Sequence, residues 1–219
     1  MQVAEIWRYP VKSLAGEQLE SAWVQEDGIA GDRRVLVFDE WTRHLITSRM
    51  HPKLLGLKGT LTAQGEALIN GNLWNTPEAE RAIKLAAGSD ARLIDWDGSE
   101  RFDVLPLLVA TDGALRAFGH DHRRLRPNLV ISGVPGLAER EFPGRKVRIG
   151  DVVIEFARLR PRCVMTTYDP DTQVQDHKVL RQIVKQFGGA LALDTAVIHG
   201  GSIAVGDQVE FVEAADPIP

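Results

Sequence analysis

The chain has 219 residues, of which 44% are hydrophobic and 26% charged, and this composition excludes intrinsic disorder. Its formal charge of −4 argues against general nucleic-acid binding. One cysteine cannot form an internal disulfide, which argues against an oxidised, secreted framework. Neither a leader segment nor an apolar run of roughly 20 residues is visible, so we expect a cytoplasmic protein without a membrane span.

Short strands dominate the predicted elements of the first half. Alternating apolar, β-branched and aromatic residues predict strands over residues 3–7, 19–24, 35–38, 54–61 and 67–69. Pro10 lacks a backbone donor, so the segment 9–14 is predicted to be a shaped loop rather than a central strand. The dipeptide Asn70-Gly71 predicts a tight hairpin turn.

Three helices are predicted from capping residues and apolar periodicity. Thr76 before Pro77 is a capping residue followed by proline at the first helical position, and this pair predicts a helix that ends near Gly88. A second helix is predicted over residues 111–118. Apolar residues at helical spacing predict a third helix over residues 175–187.

The second half of the chain is also rich in predicted strands. The segment 126–131 is predicted to be a loop that enters a strand, and further strands are predicted over residues 92–96, 147–149, 152–156, 196–198 and 209–212. Many short strands with few helices indicate a mainly β fold, either all-β or a β-dominated barrel. Residues 216–219 are predicted to be a frayed tail.

The single cysteine, Cys163, lies among Arg158, Arg160 and Arg162. Nearby guanidinium groups stabilise a thiolate, and a thiolate is a soft ligand for copper, zinc, iron or a heavier thiophilic metal. The alternative is that Cys163 is a small hydrophobic residue of the core, because free cysteines are often buried. The residues around it do not decide between these two interpretations.

Three other functions stay open on the residues alone. A cysteine hydrolase would need a histidine near Cys163, and the spacing of the six histidines nominates none of them. His120 and His122 could offer two metal ligands, although a polar loop explains them more simply. Contact with RNA is suggested only by a basic cluster that lacks an aromatic platform: Arg123, Arg124 and Arg126.

Six short segments stand in order along nearly the whole chain: Tyr9-Pro-Val-Lys-Ser13, Gly31-Asp-Arg33, Thr47-Ser-Arg49, Arg126-Pro-Asn-Leu-Val130, Arg162-Cys-Val-Met-Thr-Thr-Tyr-Asp-Pro-Asp-Thr172 and Gly201-Ser-Ile-Ala-Val-Gly-Asp207. In this order they resemble the MOSC family, which is named for the C-terminal domain of molybdenum cofactor sulfurase. Within that family the likeness is to the amidoxime-reducing branch and its bacterial relatives.

The resemblance implies two β-rich domains. The first is a smaller MOSC-associated domain over residues 1–90, and the second is a MOSC β-barrel over residues 91–214 that carries the cysteine. A tail over residues 215–219 would follow. The resemblance also implies a mononuclear molybdenum cofactor, in which a molybdopterin binds the metal, and pyridoxal phosphate is not expected.

The molybdenum ligand of the family, which is also its catalytic residue, falls on Cys163. Nine further residues match positions that the resemblance implies are close to the phosphate or the pterin of the cofactor: Lys12, Ser13, Arg33, Arg49, Thr111, Asp112, Arg126, Asn128 and Arg162. The cationic members of this set suit a phosphate, because guanidinium groups can bind it through two parallel hydrogen bonds. The polar members offer donors and acceptors to the pterin edge.

The resemblance implies reduction of a small N-hydroxylated or otherwise N-oxygenated compound by oxygen-atom transfer. The chain has no Gly-x-Gly-x-x-Gly dinucleotide fingerprint, and one cysteine cannot hold an iron–sulfur cluster. Electrons would therefore come from a separate partner of flavoprotein, ferredoxin or cytochrome type. Two questions stay open: the chain could instead carry the cofactor or its sulfur, and the proton donor could be Asp112, Tyr168 or bound water.

Overall fold

The computed structural model of the protein describes residues 1–212. They form three α-helices, which are α1 (Pro77–Ala87), α2 (Asp112–Phe118) and α3 (His177–Phe187). The strands are β1 (Gln2–Arg8), β2 (Glu17–Leu19), β3 (Ser21–Gln25), β4 (Gly28–Ile29), β5 (Val35–Asp39), β6 (Gly59–Leu61), β7 (Ala67–Ile69), β8 (Asn72–Leu73), β9 (Ala91–Asp95), β10 (Leu107–Thr111), β11 (Leu129–Ser132), β12 (Lys146–Ile149), β13 (Val152–Pro161), β14 (Ala190–His199), β15 (Gly201–Ala204) and β16 (Val209–Phe211). The fold is therefore mainly β, as predicted, and the predicted tail lies outside the described residues.

The largest sheet has eight strands in the order β16-β12-β13-β14-β10-β11-β1-β2. All its neighbours are antiparallel except β10 and β11, which are parallel. The closed barrel expected from the resemblance is not present in the part of the chain that the structure describes. The sheet ends at β2 and β16, and a single isolated bridge, Gln2 to Gln208, joins β1 to the segment before β16. Backbone hydrogen bonds between Val3 and residues 206 and 207 and between Val209 and Met1 add to this bridge, but within residues 1–212 no strand ladder links β16 to β1 or β2.

The two main hydrophobic cores draw on different parts of the chain. One core contains residues of β1, β3 and β4 together with residues of the second half, such as Ile6 and Phe156. The other core contains residues between 11 and 91, including Leu14 and Ile83. The first strands of the chain therefore pack with its second half, and the predicted domain boundary near residue 90 stays a prediction.

Local sequence signals account for the start of α1 and the end of α2. The Thr76 side chain accepts a hydrogen bond from the backbone N–H of Ala79 at the start of α1, as the capping pattern predicts. Gly119, with φ of 68°, ends α2 in the left-handed conformation that glycine adopts without strain. Among the described residues, no helix combines the length and the apolar character that a membrane crossing requires.

Several predicted strand bounds were wrong, because the ends of these strands are determined by their pairing partners or by a proline. The predicted strand over residues 54–61 is split, because Pro52 starts a short 3₁₀ helix over Pro52–Gly56 and only β6 remains extended. Strands β13 and β14 are longer than predicted and pair along most of their length. The hairpin turn at Asn70-Gly71 is confirmed between β7 and β8, with both residues at positive φ.

Candidate functional site

Eight of the ten site residues expected from the resemblance line one cavity of about 360 Å³, which we call the cradle cavity: Lys12, Ser13, Arg33, Arg49, Arg126, Asn128, Arg162 and Cys163. They come from the loop after β1, the segment before β5, the turn around residue 49, the loop before β11 and the end of β13. Residues that are far apart in sequence therefore meet at one site.

The backbone is held in an unfavourable conformation at three of these positions. Ser13, Arg33 and Arg126 have φ angles of 76°, 53° and 59°, in the left-handed region. Each such residue costs about 1–3 kcal/mol unless local bonds compensate. The N–H of Arg33 donates to the backbone oxygen of Tyr9 at 2.8 Å, which helps to hold one of the turns. Three of the seven non-glycine residues with positive φ in the described part of the chain therefore lie in the loops that shape the cradle cavity.

A buried cation, Arg126, forms part of the cavity wall. Its guanidinium carbon lies 4.2 Å from the centre of the Tyr9 ring, and that of Arg33 lies 5.2 Å from the same centre. Arg126 also donates to the backbone oxygen of Leu14 at 2.7 Å. Burial lowers the pKa of Arg126 to about 10, and burial raises the pKa of Tyr9 to about 12. The positive charge of Arg126 is therefore only partly compensated.

A fully buried carboxylate, Asp32, fixes the loops beside this cation. It accepts hydrogen bonds from the backbone N–H of Tyr9 at 2.7 Å and from the amide of Asn128 at 3.2 Å, and it pairs with Arg33. The amide oxygen of Asn128 in turn accepts from the N–H of Leu108 at 3.2 Å. Asn128 thus lines the cavity while its polar groups serve mainly to position the loop.

Sequence reasoning missed two carboxylates of the cradle cavity, Asp103 and Asp194. The Nζ of Lys12 lies 3.1 Å from Asp103, and Arg160 lies 3.4 Å from Asp103 and 2.8 Å from Asp194. Burial raises the pKa of Asp103, but the charges of Lys12 and Arg160 and a hydrogen bond from Lys12 lower it further, so its net pKa lies below the ordinary value. Asp103 is therefore ionised and compensates part of the positive charge in the cavity.

Cys163 follows β13 and occupies the N-cap position of a 3₁₀ helix over Val164–Thr167. It is a half-buried free thiol in the wall of the cradle cavity. The preceding Arg162 donates to the backbone oxygen of Leu125 at 2.8 Å, and burial lowers its pKa to about 10. The Nε of Arg162 is buried and has no hydrogen-bond partner within residues 1–212. A soft sulfur donor and a cation with one unsatisfied N–H donor are thus consecutive in the cavity wall.

Two family models together account for most of the chain. Residues 111–210 match the model of the MOSC domain, and residues 1–99 match that of the MOSC N-terminal beta barrel domain. The chain belongs to the MOSC family. It is 25% identical to the mitochondrial amidoxime-reducing component 1 of Mus musculus, over 94% of this chain and 81% of that protein. It is also 25% identical to the mitochondrial amidoxime reducing component 2 of Homo sapiens, over 84% and 72% of the two chains.

A solved structure supports the fold of this MOSC protein. The crystal structure of the YuaD protein from Bacillus subtilis superposes with a TM-score of 0.53 and covers 96% of this chain and 94% of that chain. The two sequences are 14% identical, so the likeness concerns the fold alone. The names of the curated relatives include a mitochondrial location, whereas the cytoplasmic location expected for this chain stays a prediction.

The structure of this MOSC protein does not bring Thr111 and Asp112 into the lining of the cradle cavity. The hydroxyl of Thr111 donates to the buried carboxylate of Glu139 at 2.8 Å. Asp112 accepts from the backbone N–H of Val134 at 3.0 Å and pairs with Arg116 at 2.9 Å. Both side chains use their polar groups to anchor α2, so the geometry does not supply the pterin contact expected of them.

The structure of this MOSC protein does not form the sites that the three other functions would need. No histidine within residues 1–212 lines the cradle cavity. The side chain of His120 contacts Gln182, and that of His122 contacts Glu5. Residues 1–212 hold no group of three or more His, Cys, Asp or Glu side chains that could bind a metal ion. In the basic cluster, Arg123 forms ion pairs with two acidic side chains.

Proposed function

We propose that the cradle cavity binds a molybdenum cofactor and that the protein uses it to reduce N-hydroxylated or other N-oxygenated compounds. The observation that carries the proposal is that one cavity joins the thiol of Cys163 to eight cationic side chains, five of which the resemblance predicts: Lys12, Arg33, Arg49, Arg126 and Arg162. The curated relatives supply the reaction class, since an amidoxime is an N-hydroxylated amidine.

The residues of the cradle cavity fit a molybdenum cofactor. The buried Nε of Arg162 lacks a partner within the described residues, and an anionic phosphate would satisfy a donor of this kind. The thiol of Cys163 is the soft donor that suits a thiophilic metal. Because residues 1–212 contain no cluster of three metal-ligating side chains, the remaining metal ligands would come from the cofactor itself.

The bound cofactor would supply the oxygen-atom transfer and the electrons for it. The protein would hold the metal at the sulfur of Cys163 and the phosphate at the cationic side chains. In the net reaction the substrate takes up two electrons and two protons, its N–O bond breaks, and the oxygen leaves as water. Asp103 is ionised, and neither Asp112 nor Tyr168 lines the cradle cavity, so we assign the proton supply to water.

Electrons would reach the site from a separate protein. The chain has one cysteine, which the proposal already uses as the metal ligand, and it has no dinucleotide fingerprint. A flavoprotein, a ferredoxin or a cytochrome could deliver electrons one or two at a time. The proposal therefore predicts that the isolated protein turns over only when an electron donor is supplied.

The test compares the wild-type protein with Cys163→Ser, both produced in a host that makes the cofactor. Molybdenum and pterin are measured per chain, and hydroxylamine reduction is assayed with an artificial electron donor. We expect near-stoichiometric metal and turnover in the wild type and loss of turnover in Cys163→Ser. Bound cofactor without turnover would instead support the carrier function. A well-folded wild type with neither metal nor pterin would contradict both functions.

A further inference from the structure

The outer side of α3 carries three exposed cations, which we call the basic face: Lys178, Arg181 and Lys185. They are three and four positions apart, so they lie along one line of the helix. The buried residues of α3 lie on the opposite side of the helix: Val179, Ile183 and Phe187. Within residues 1–212, none of the three cations forms an ion pair or a side-chain hydrogen bond. The basic face is therefore uncompensated.

Helix stability alone does not explain the basic face. Lys185 lies in the last turn of α3, where a cation suits the helix dipole. The exposed Arg140 also lies at this end and donates to the backbone oxygen of Phe187 at 2.5 Å. Lys178, in contrast, lies in the first turn, where a cation opposes the dipole. Asp176 caps this end through the backbone N–H of Lys178 at 2.9 Å and forms no ion pair with its side chain.

Both ends of α3 are bound to the segment that carries Cys163. Just before the helix, the N–H of Asp176 donates to the backbone oxygen of Thr167 at 2.8 Å. Just after the helix, the backbone oxygen of Gly189 accepts from the N–H of Arg162 at 2.9 Å. Because Arg162 directly precedes Cys163, one hydrogen bond and a few covalent bonds join the end of α3 to the proposed metal ligand.

The basic face is also close to the site without blocking it. The helix packs against the 3₁₀ helix Val164–Thr167, and an α-helix with its side chains is about 10–12 Å across. A protein bound to the basic face would therefore lie about one helix thickness from the segment that follows Cys163. None of the three cations lines the cradle cavity, so such a protein would leave the cavity open to a substrate.

We propose that the basic face of α3 is the docking site of the electron-donor protein, and that this donor presents an acidic surface near its redox group. The inference rests on the proposed reductase function and adds the surface and the charge of the partner. In each turnover the partner gives up two electrons and is oxidised, while the cofactor held in the cradle cavity is reduced. The two protons of the reaction come from water.

The size and the charge of this surface suit a transient complex. Complementary charge steers two proteins together and raises their association rate, which a donor that must bind and leave in each turnover requires. Val184, which is 59% exposed beside the basic face, adds apolar contact area. Electron-transfer complexes bury less than about 1,200 Å² in total, so one exposed helix and its neighbours suffice for the contact.

An anionic membrane surface is the other partner that a row of cations could attract. A helix that binds to a membrane surface inserts its apolar side among the lipids. The apolar side of α3 is instead buried in a hydrophobic core, together with residues such as Phe118 and Leu125. The structure therefore favours a protein partner, and lipid binding is an outcome of the test that would contradict the inference.

The test measures the binding of two acidic redox proteins, a flavodoxin and a plant-type ferredoxin, to the full chain by biolayer interferometry. The wild type is compared with an α3 variant that combines Lys178→Glu, Arg181→Glu and Lys185→Glu. At an ionic strength of about 0.02 M, we expect the wild type to bind at least one probe and the α3 variant to bind it at least about tenfold more weakly. Salt at about 0.5 M should remove most of this difference, because it screens exposed charges.

A control variant makes the same change in net charge elsewhere on the surface. It combines Arg43→Glu, Lys53→Glu and Arg81→Glu, which replace exposed cations that form no ion pair within residues 1–212. This control should bind the probe as tightly as the wild type. If the α3 variant loses the native fold, judged by thermal unfolding, the same three α3 positions are changed to glutamine instead.

Three results would overturn the inference. The first is an equal loss of binding in the α3 variant and in the control, because net charge alone would then explain it. The second is a wild type that binds neither acidic probe. The third is a wild type that binds vesicles of phosphatidylcholine and phosphatidylglycerol through the basic face but binds neither probe, because the face would then be a membrane contact.

Failure of the inference is distinguishable from failure of the proposed function. A small artificial donor needs no docking surface, so hydroxylamine reduction with such a donor should be equal in the wild type and the α3 variant. If the protein reduces hydroxylamine in this way but the α3 variant binds the probes as the wild type does, the function stands and the docking inference is wrong. If the basic face binds an acidic probe but no compound is reduced with any donor, the face still binds acidic proteins and the reductase function is wrong.

Discussion

The hydroxyl group of Tyr9 donates a hydrogen bond of 3.0 Å to the backbone oxygen of Pro127. Tyr9 directly follows β1, and Pro127 lies in the loop before β11, so this bond joins the loop that carries Lys12 to the loop that carries Arg126. The bond is buried, and the same tyrosine ring contacts the Arg126 guanidinium. One side chain therefore links the stability of the fold to the geometry of the cradle cavity.

Tyr9→Phe should lower the free energy of unfolding by about 1–2 kcal/mol, because the buried oxygen of Pro127 loses its donor while the ring is kept. Chemical denaturation measures the change. Tyr168→Phe is the matched control, since the Tyr168 hydroxyl makes no hydrogen bond within residues 1–212, and its effect should stay within about 0.5 kcal/mol. Equal losses in the two variants would show that the bond to Pro127 contributes nothing specific.

Arg162→Gln should reduce cofactor retention by at least about tenfold, because a charge-assisted contact to a phosphate is lost next to the metal ligand. Molybdenum and pterin per chain after gel filtration measure the effect. Arg181→Gln, on the exposed face of α3, is the control and should retain the cofactor fully. Full retention in Arg162→Gln would remove this residue from the proposed phosphate site.

Asp103→Asn should strengthen the binding of inorganic phosphate in the cofactor-free protein, because the ionised carboxylate competes with an added anion for Lys12 and Arg160. Calorimetric titration at pH 7 measures the affinity. Asp95→Asn removes a carboxylate that pairs with Arg34 outside the cradle cavity, and it should have no effect. Weaker phosphate binding in Asp103→Asn would mean that the carboxylate organises the cations instead of competing for them.

Glu139 should make stability fall with rising pH. It is buried, and its carboxylate oxygens accept hydrogen bonds from the Thr111 hydroxyl at 2.8 Å and from the N–H of Ala192 at 3.0 Å. Burial raises its pKa above the ordinary value, so over some pH range the folded state keeps a proton that the unfolded state has lost. Its contribution is therefore complete below a pH of about 4.5 and decreases as the pH rises through the raised pKa.

Glu139→Gln removes this titration while keeping the side-chain shape. The free energy of unfolding of Glu139→Gln minus that of the wild type should therefore increase between about pH 4 and about pH 8. Urea unfolding of both proteins across this range measures the difference and cancels the contributions of other titrating groups. A difference that stays constant with pH would show that the buried carboxyl group does not titrate differently in the two states.

Local signals predicted the elements that a few neighbouring residues determine. Thr76 with Pro77 starts α1, and Asn70-Gly71 forms the turn between β7 and β8. The lengths of β13 and β14 could not be predicted in this way, because these strands are stabilised by each other. Charged residues of the two strands form ion pairs across the sheet, as Arg158 and Asp194 do at 3.1 Å.

In the candidate site too, some residues could be predicted from the sequence and others could not. Residues within family motifs, such as Lys12 and Cys163, could be predicted from resemblance, and the structure brings them to one cavity. Asp103 could not be predicted, because an isolated aspartate in a loop belongs to no sequence motif and meets Lys12 only in the folded protein. Asp194 carried a usable signal, since a carboxylate inside the apolar segment 191–195 needs a cationic partner if it is buried.

The most direct test of the central claim is X-ray absorption at the molybdenum edge for the purified wild type and for Cys163→Ser loaded with cofactor. If the sulfur of Cys163 binds the metal, the variant will show one fewer sulfur neighbour at molybdenum and one more light-atom neighbour in its place. An identical sulfur shell in both proteins would show that Cys163 is not the ligand, and the function proposed for the cradle cavity would then lose its metal site.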